Sequence, residues 1–230
     1  MSDEHSNLPV VNLITEITHA LSVRRGPLIV EQTLSCLADM NLTAESMQQL
    51  EPCMPSEFID NFDVAVNNIP SQLSALANAI DASKYSIQWN RDLGQFYVKD
   101  AAVGDSYRNN NMNCTLVGKE NGFFHSDRLF MGLFFLQPHT FYRDHNHEPS
   151  EMYFNLTGPH GFRFNVDGWS DYTADSIIWN LPWLPHATRV YDIPFLSVFV
   201  WTGNLDALIQ VVNADDWAEL QNELLTGSAG

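Results

Sequence analysis

The stretch His145-Asn-His-Glu-Pro-Ser-Glu-Met-Tyr153, followed later by Pro185-His186, decides how this chain is interpreted. Residues two apart on a β-strand point to the same face, so His145 and His147 are expected to aim together. The Pro-Ser pair between them and Glu151 predicts a turn, after which Glu151 faces inward from the next strand. A small β-barrel would bring a later strand carrying His186 alongside. The sequence therefore predicts one site built from three imidazoles and one carboxylate.

Donors of these types suggest a metal ion. Neutral imidazole nitrogens and one carboxylate suit a divalent first-row metal, and Fe, Zn, Mn, Co and Ni all remain open as its identity. Four protein ligands leave coordination positions for a substrate, which is typical of a catalytic site. A His-x-His pair on its own is weak evidence, so the prediction rests on the added Glu151, Gly158 and His186 in the order that a barrel demands.

Composition limits the classes of partner. The formal net charge is −17, from 28 acidic and 11 basic residues, and phosphate binding needs clustered Lys and Arg. We therefore expect no nucleic acid or membrane partner, and a small-molecule substrate instead. The three cysteines form no C-x-x-C pair, which predicts reduced thiols. The N-terminus lacks the basic and apolar regions of a signal peptide, so a cytoplasmic location is expected. The expected oligomeric state is a monomer or homodimer.

Two differently patterned segments divide the chain. Residues 1–84 carry helical periodicity, with breaks that predict four or five short helices, a second one near 27–40, and starts at Pro55 and Pro70. Residues 85–230 have short runs of aromatic and β-branched residues separated by turns, which predicts an antiparallel barrel. The fold class expected is mainly β with α, with the N-terminal helical segment packing on the barrel.

Several elements of the second segment are predicted individually. Strands are expected at 129–136, 162–166, 169–172, 176–180 and 195–201, with an Asp167-Gly168 hairpin turn between the second and third. The segment 104–113 contains four Asn and predicts a mobile loop over the pocket. A last helix is expected at 214–225, with Asn213 as its N-cap.

Residues 145–158 have the form His-x-His, three residues, Glu, six residues, Gly, and this resembles the first motif of the cupin superfamily. The resemblance implies a single antiparallel double-stranded β-helix barrel and assigns His145, His147, Glu151 and His186 as metal ligands. His186 matches the ligand of the second cupin motif, whereas Trp183 and Val190 depart from the residues usual there.

Two tyrosines narrow the resemblance. Tyr142 and Tyr153 extend the motif to Tyr-x-x-His-x-His-x-x-x-Glu-x-Tyr, which, with the Phe199-Val200-Trp201 strand, is similar to the dimethylsulfoniopropionate (DMSP) lyase cupins over residues 85–205. This implies cleavage of DMSP to dimethyl sulfide and acrylate by base-catalysed β-elimination. Tyr142 is the first candidate for the base, and it requires a β-bulge to face inward because it lies three positions from His145. Tyr153 is the second candidate, and its other expected roles are a substrate-binding hydroxyl or a weak metal ligand.

The sulfonium group of such a substrate is a cation without hydrogen-bond donors, for which aromatic faces are the natural receptor. Trp201 is the first candidate for that contact. We expect His125, His139 and His160 to lie outside the metal site, and Arg143 and Arg189 to form surface ion pairs.

Other functions remain open at this point. A different cupin enzyme, such as a dioxygenase or a sugar isomerase, would use the same ligand set, because one fold hosts many reactions. A non-enzymatic cupin that binds small acids is the remaining alternative.

Overall fold

The N-terminal part of the chain is helical. The structure is a computed structural model that describes residues 4–227, with side chains from Leu8 onward. Its helices here are α1 Glu4–Ser22, α2 Leu28–Ala38, α3 Ile59–Asn67 and α4 Ser74–Ser83. Gly26, at φ +131°, and Pro27 separate the first two helices, as predicted. Pro55 and Pro70 each precede a short 3-10 turn that leads into a helix, so the predicted starts are confirmed.

Strands begin at Trp89 and dominate the rest of the chain. They are β1 Trp89–Asn90, β2 Asn111–Gly118, β3 Phe124–His125, β4 Leu129–Leu136, β5 Phe141–Asn146, β6 Ser150–Asn155, β7 His160–Phe164, β8 Ser170–Tyr172, β9 Ile177–Asn180, β10 His186–Arg189, β11 Phe195–Thr202 and β12 Gln210–Val211. Two further helices are α5 Asp105–Asn110 and α6 Trp217–Thr226.

The strands form two sheets, which are antiparallel except where β3 pairs with β2. One has seven strands, in the order β1-β2-β4-β11-β6-β9 with β3 beside β2, and the other has five, in the order β12-β5-β10-β7-β8. Aromatic side chains from both sheets pack between them, for example Phe134 against Tyr142 and Tyr153 against Phe162. The predicted class, mainly β with helices and with antiparallel sheets, is confirmed.

The N-terminal helices cover the outer face of the seven-stranded sheet. Their apolar side chains share one hydrophobic core with outward-facing residues of that sheet, and Phe58 and Phe62 of the helical segment contact Phe135 of β4. Strand β11 is therefore buried on both faces: Val198 and Val200 face the helices, while Phe199 and Trp201 face the barrel interior. This double burial explains why the strand reads as a continuous apolar run. We propose that residues 1–84 form a helical segment packing on the barrel of residues 85–230.

Four local predictions were wrong. The segment 104–113 is not a loop, because Asp105–Asn110 is helical with Tyr107 buried, and Asn111 begins β2. The strand expected at 162–166 is His160–Phe164, since Asn165 and Val166 take the left-handed conformation at φ +56° and +61°. These two residues also form the centre of the hairpin turn, in place of the expected Asp167-Gly168, because the Asp167 N–H donates to the Phe164 carbonyl.

The last helix was also misplaced. It starts at Trp217 rather than 214, and Asn213 does not cap it. The N-cap residue is Asp216, and its carboxylate accepts hydrogen bonds from Arg163 instead of from the helix. Arg163 is 2% exposed and also pairs with the buried Asp144 of β5, to which the Trp217 indole donates at 2.9 Å. This network fastens α6 to the five-stranded sheet.

None of the described helices is both long and apolar enough to cross a membrane.

Candidate metal centre

Four side chains converge inside the barrel, and they are the four that the sequence singled out. One possible ligand atom from each of His145, His147, Glu151 and His186 lies within 4.8 Å of the others. All four residues are buried, with exposed fractions of 1–4%. Among the residues that the structure describes, this is the cluster of His, Cys, Asp and Glu side chains with the geometry to hold a metal ion.

Strand register brings these residues together. His145 of β5 lies directly across from His186, the first residue of β10. His147 follows the end of β5, and Glu151 is the second residue of β6. The turn between the two strands returns Glu151 beside the histidines, as the Pro-Ser signal predicted. The motif glycine, Gly158, lies where a Cβ atom would come 2.7 Å from the Ala174 nitrogen, so only glycine fits there.

Backbone carbonyls fix the tautomer of each of the three imidazoles in the cluster. The Nδ1 atom of His145 is 2.7 Å from the Arg143 oxygen, that of His147 is 2.9 Å from the Pro149 oxygen, and that of His186 is 2.8 Å from the Leu184 oxygen. A carbonyl only accepts, so each Nδ1 carries the proton and each Nε2 presents a lone pair to the site. Such outer hydrogen bonds are typical of metal-ligating histidines.

Glu151 is held from both neighbouring strands. Its cross-strand partners are Trp201 of β11 and Asn180 of β9. The Trp201 indole donates to Oε1 at 2.6 Å, and the Asn180 amide donates to Oε2 at 2.7 Å. The carboxylate is thus fixed in orientation and remains an acceptor toward the site.

The acceptors at the centre of the cluster require a cation. Glu151 Oε2 lies 3.3 Å from His147 Nε2 and 3.2 Å from His186 Nε2, and the latter nitrogen has no hydrogen-bond partner. Burial favours the neutral form of Glu151, but the imidazoles of His147 and His186 hold its pKa well below the usual value. Burial, followed by the other two imidazoles, also lowers the pKa of His145 well below 6.5, which favours the metal-binding neutral form. The donor set therefore fits a divalent transition metal ion.

Tyr142 faces the site because β5 contains the expected bulge. The register pairs His186 with His145 and Thr188 with Tyr142, so two residues of β5 oppose one residue of β10. The extra residue turns Tyr142 inward, and its ring stacks on His145 with centroids 4.1 Å apart.

The two candidate tyrosines differ in their hydrogen bonds. The Tyr142 hydroxyl receives a bond of 2.7 Å from Tyr97. Burial raises the pKa of Tyr142 well above 10, while the bond from Tyr97 acts in the opposite direction. Burial also raises the pKa of Tyr153, and the adjacent carboxylate of Glu151 raises it further. Both phenols lie inside the barrel, as the sequence predicted.

An aromatic pocket adjoins the cluster and shares Glu151 with it. It has a volume of about 60 Å³, and its lining includes Glu151, both tyrosines, Trp201 and several phenylalanines. Phe96, Asn113, Phe130 and Trp201 also line a wider cleft of about 540 Å³, so the cleft and the pocket are neighbours. Trp201 therefore lines the pocket as expected and, in addition, positions Glu151.

The remaining histidines and the two arginines lie elsewhere. His125 is exposed, His139 is 3.6 Å from Asp192, and the buried His160 is 3.1 Å from a threonine hydroxyl, so none joins the cluster. Arg189 is 3.9 Å from Asp171, whereas Arg143 binds the Ala102 carbonyl and lies over the Trp217 ring, so an ion pair was the wrong expectation for Arg143.

Sequence reasoning missed several residues of this region. Asn180, Tyr97, Tyr107 and Asp92 contact Glu151, Tyr142 or the pocket, and no motif marks them in a single sequence. Asn180 alone had a usable signal, since it ends a predicted strand with the same parity as Ile178, another inward-facing residue.

Comparisons with known proteins agree on one family. The dimethylsulfoniopropionate lyase family profile matches residues 29–197. The DMSP lyase DddQ of Ruegeria pomeroyi is 32% identical over 91 residues, which is 40% of this chain and 45% of that protein. The sequence match thus spans less than half the length of that relative.

Solved structures share the fold over nearly the whole chain. The crystal structure of DddQ from Ruegeria pomeroyi DSS-3 superposes with a TM-score of 0.66, at 22% identity, over 90% of this chain and 97% of that one. A chain from crystal structures of the DMSP lyases RdDddP and RnDddQII gives a TM-score of 0.67, at 18% identity, over 90% and 100%. The profile match covers most of this chain, and on that ground the chain belongs to the dimethylsulfoniopropionate lyase family.

Proposed function

We propose that this protein is a metal-dependent carbon–sulfur lyase that cleaves DMSP to dimethyl sulfide and acrylate. One observation carries the proposal: in a chain of this family, a cluster of four metal-type donors adjoins an aromatic pocket, which is lined by one of those donors, Glu151, and by Tyr142 and Tyr153. We propose His145, His147, Glu151 and His186 as the ligands.

The reaction needs a Lewis acid that binds the substrate carboxylate and so makes the C–H bond on the adjacent carbon more acidic. It also needs a base that removes the proton from that carbon. When bound, a divalent metal would supply Lewis acidity toward the carboxylate and lower the pKa of nearby phenols. The ligand set does not distinguish Fe, Zn, Mn, Co and Ni, so the metal is identified only by class.

Tyr142 is the proposed base. The Tyr97 hydroxyl donates a hydrogen bond to the Tyr142 oxygen, and this bond stabilises a phenolate more than a phenol. The charge of Glu151 raises the pKa of both phenols, but at Tyr153 it is the largest cause after burial and no donated hydrogen bond opposes it. We assign Tyr153 to substrate binding, as a hydroxyl that positions the carboxylate end.

The elimination balances without a general acid. Tyr142 takes the proton from the carbon next to the carboxylate, and the electron pair of that C–H bond forms the carbon–carbon double bond of acrylate. The C–S bond breaks, and its electron pair leaves on sulfur as neutral dimethyl sulfide. The ring of Trp201 is the proposed contact for the sulfonium before it leaves.

The character of the pocket favours this substrate over those of other cupin enzymes. A sugar presents many hydroxyls that need partners, whereas the walls here are mainly aromatic rings. A short aliphatic zwitterion matches this site, because its carboxylate would meet the metal and its sulfonium would meet aromatic rings.

The direct test is dimethyl sulfide in the headspace, with acrylate in solution, from metal-loaded protein given DMSP. We expect sulfide from the wild type and none from His147→Ala. Tyr142→Phe is expected to lower kcat by at least about 100-fold, the usual contribution of a positioned base. Tyr191→Phe is the matched control, because this tyrosine binds Asp171 outside the pocket.

Each alternative predicts a different result. Near wild-type activity in Tyr142→Phe, with loss in Tyr153→Phe, would move the base to Tyr153. No sulfide with any of the candidate metals would reject the lyase, and oxygen consumption with a small carboxylate would instead identify a dioxygenase.

A further inference from the structure

The pocket contains a second carboxylate that the proposed reaction does not use. Asp92 is 1% exposed, and it lines the aromatic pocket together with Glu151. Glu151 is accounted for as a metal ligand. Asp92 lies outside the ligand cluster, yet it carries a potential negative charge inside the same cavity.

Every polar contact of the Asp92 side chain is a donor. The Tyr107 hydroxyl donates to Oδ2 at 2.7 Å, and the Gly94 backbone N–H donates to Oδ1 at 2.7 Å. An ionised carboxylate is the form that accepts from both sides. Burial raises the pKa of Asp92, and the bonds from Tyr107 and Gly94 act in the opposite direction.

A structural role does not account for the charge. An asparagine would serve both contacts, because its oxygen would accept from the Gly94 N–H and its amide could donate to the hydroxyl oxygen of Tyr107. No Lys, Arg or His in residues 8–227 forms an ion pair with Asp92 within 4.0 Å. A buried carboxylate without a cation is costly, and here the missing cation has a cavity to occupy.

Aromatic rings complete the surroundings of such a cation. Phe96, Phe130 and Tyr107 line the pocket with Asp92, and the Tyr107 ring stacks on Tyr142 at 4.2 Å. A dimethylsulfonium group offers no hydrogen-bond donor, so rings and a nearby anion are the two means of binding it.

We infer that Asp92 determines specificity for the sulfonium end of the substrate, an inference that rests on the proposed function. The zwitterion is then oriented by charge: its carboxylate faces the metal cluster, and its cation faces Asp92. The reverse orientation would place two carboxylates together. The orientation also places the carbon that loses its proton between the two ends, in the pocket that Tyr142 lines.

The test measures binding and needs no turnover. Two isosteric probes are 3-(trimethylammonio)propanoate, which carries the cation, and 4,4-dimethylpentanoate, which replaces it with neutral carbon. Calorimetry on the metal-loaded protein gives their Kd ratio. We expect Asp92→Asn to lower the preference for the cation by roughly 10- to 100-fold, the range for one charge a few ångströms away at a partly screened site. Asp105→Asn removes the same charge from an exposed position and should leave the ratio unchanged.

The outcomes separate this inference from the lyase. An unchanged ratio in Asp92→Asn, or equal binding of both probes by the wild type, would overturn the role of Asp92 even if dimethyl sulfide is released. A ratio that falls in Asp92→Asn would support the role even if no sulfide is released, and the lyase alone would then be rejected. Asp92→Glu, which keeps the charge, should retain the preference, and the wild-type ratio tests the inference should Asp92→Asn fail to fold.

Discussion

The amide of Asn180 should control how tightly the metal is held. Asn180 is fully buried, and its amide donates to Glu151 Oε2 at 2.7 Å, while Trp201 holds the other oxygen. Asn180→Leu keeps the approximate volume and removes the donor. A hydrogen bond to a charged group contributes about 1.5–3 kcal/mol. Without this free energy to hold Glu151 in its orientation, the metal affinity should fall by roughly 10- to 100-fold.

The assay is competition between the protein and a chelating dye for Zn²⁺ or Co²⁺, with circular dichroism to verify the fold. Asn155→Leu is the matched control, because Asn155 is also fully buried inside the barrel but its side chain has no hydrogen-bond partner. We expect this control to bind metal as the wild type does. Equal affinities for Asn180→Leu and the wild type would refute the argument that the carboxylate depends on its neighbouring strands.

Two further predictions concern the network that holds α6. Arg163→Met leaves Asp144, which is fully buried, without its cation. We therefore expect the free energy of unfolding, measured with urea, to fall by about 3–5 kcal/mol. A change below about 1 kcal/mol would contradict this account. The bond from Arg163 lowers the pKa of Asp216 below its ordinary 3.8, so Asp216 stabilises the fold above that pH and the contribution is lost as the pH falls through the lowered value. The stability difference between wild type and Asp216→Asn should therefore be constant above about pH 5 and shrink in more acidic solution, and a difference that grows there would reverse the sign.

The metal cluster was predictable because its geometry is local. His145, His147 and Glu151 lie within seven residues, and strand alternation with one turn is enough to place them together. The inward bulge at Tyr142 followed from the same alternation, since a spacing of three breaks the parity. His186 needed the barrel as an assumption, and the fold class supplied it.

The surroundings of the cluster were not predictable in this way. Asp92 reaches the pocket, and Tyr97 reaches Tyr142, from an irregular segment, and strand parity says nothing about such residues. The segment 104–113 was misassigned because asparagines favour loops, whereas here Asn111 accepts and donates bonds that join Asp92 to Tyr107. Tertiary hydrogen bonds therefore outweighed local propensity.

The bulge in β5 has a consequence for how this site can change. The bulge arises from a difference in residue count. Two residues lie between Tyr142 and His145 on β5, whereas one residue lies between their partners, Thr188 and His186, on β10. Deleting either Arg143 or Asp144 would leave one residue of β5 opposite one of β10, which restores regular alternation and keeps Tyr142 on the inward face without a bulge. A strand of the present length paired without the bulge would instead turn Tyr142 and the residues before it to the opposite face, so the inward position of the proposed base depends on the bulge being kept.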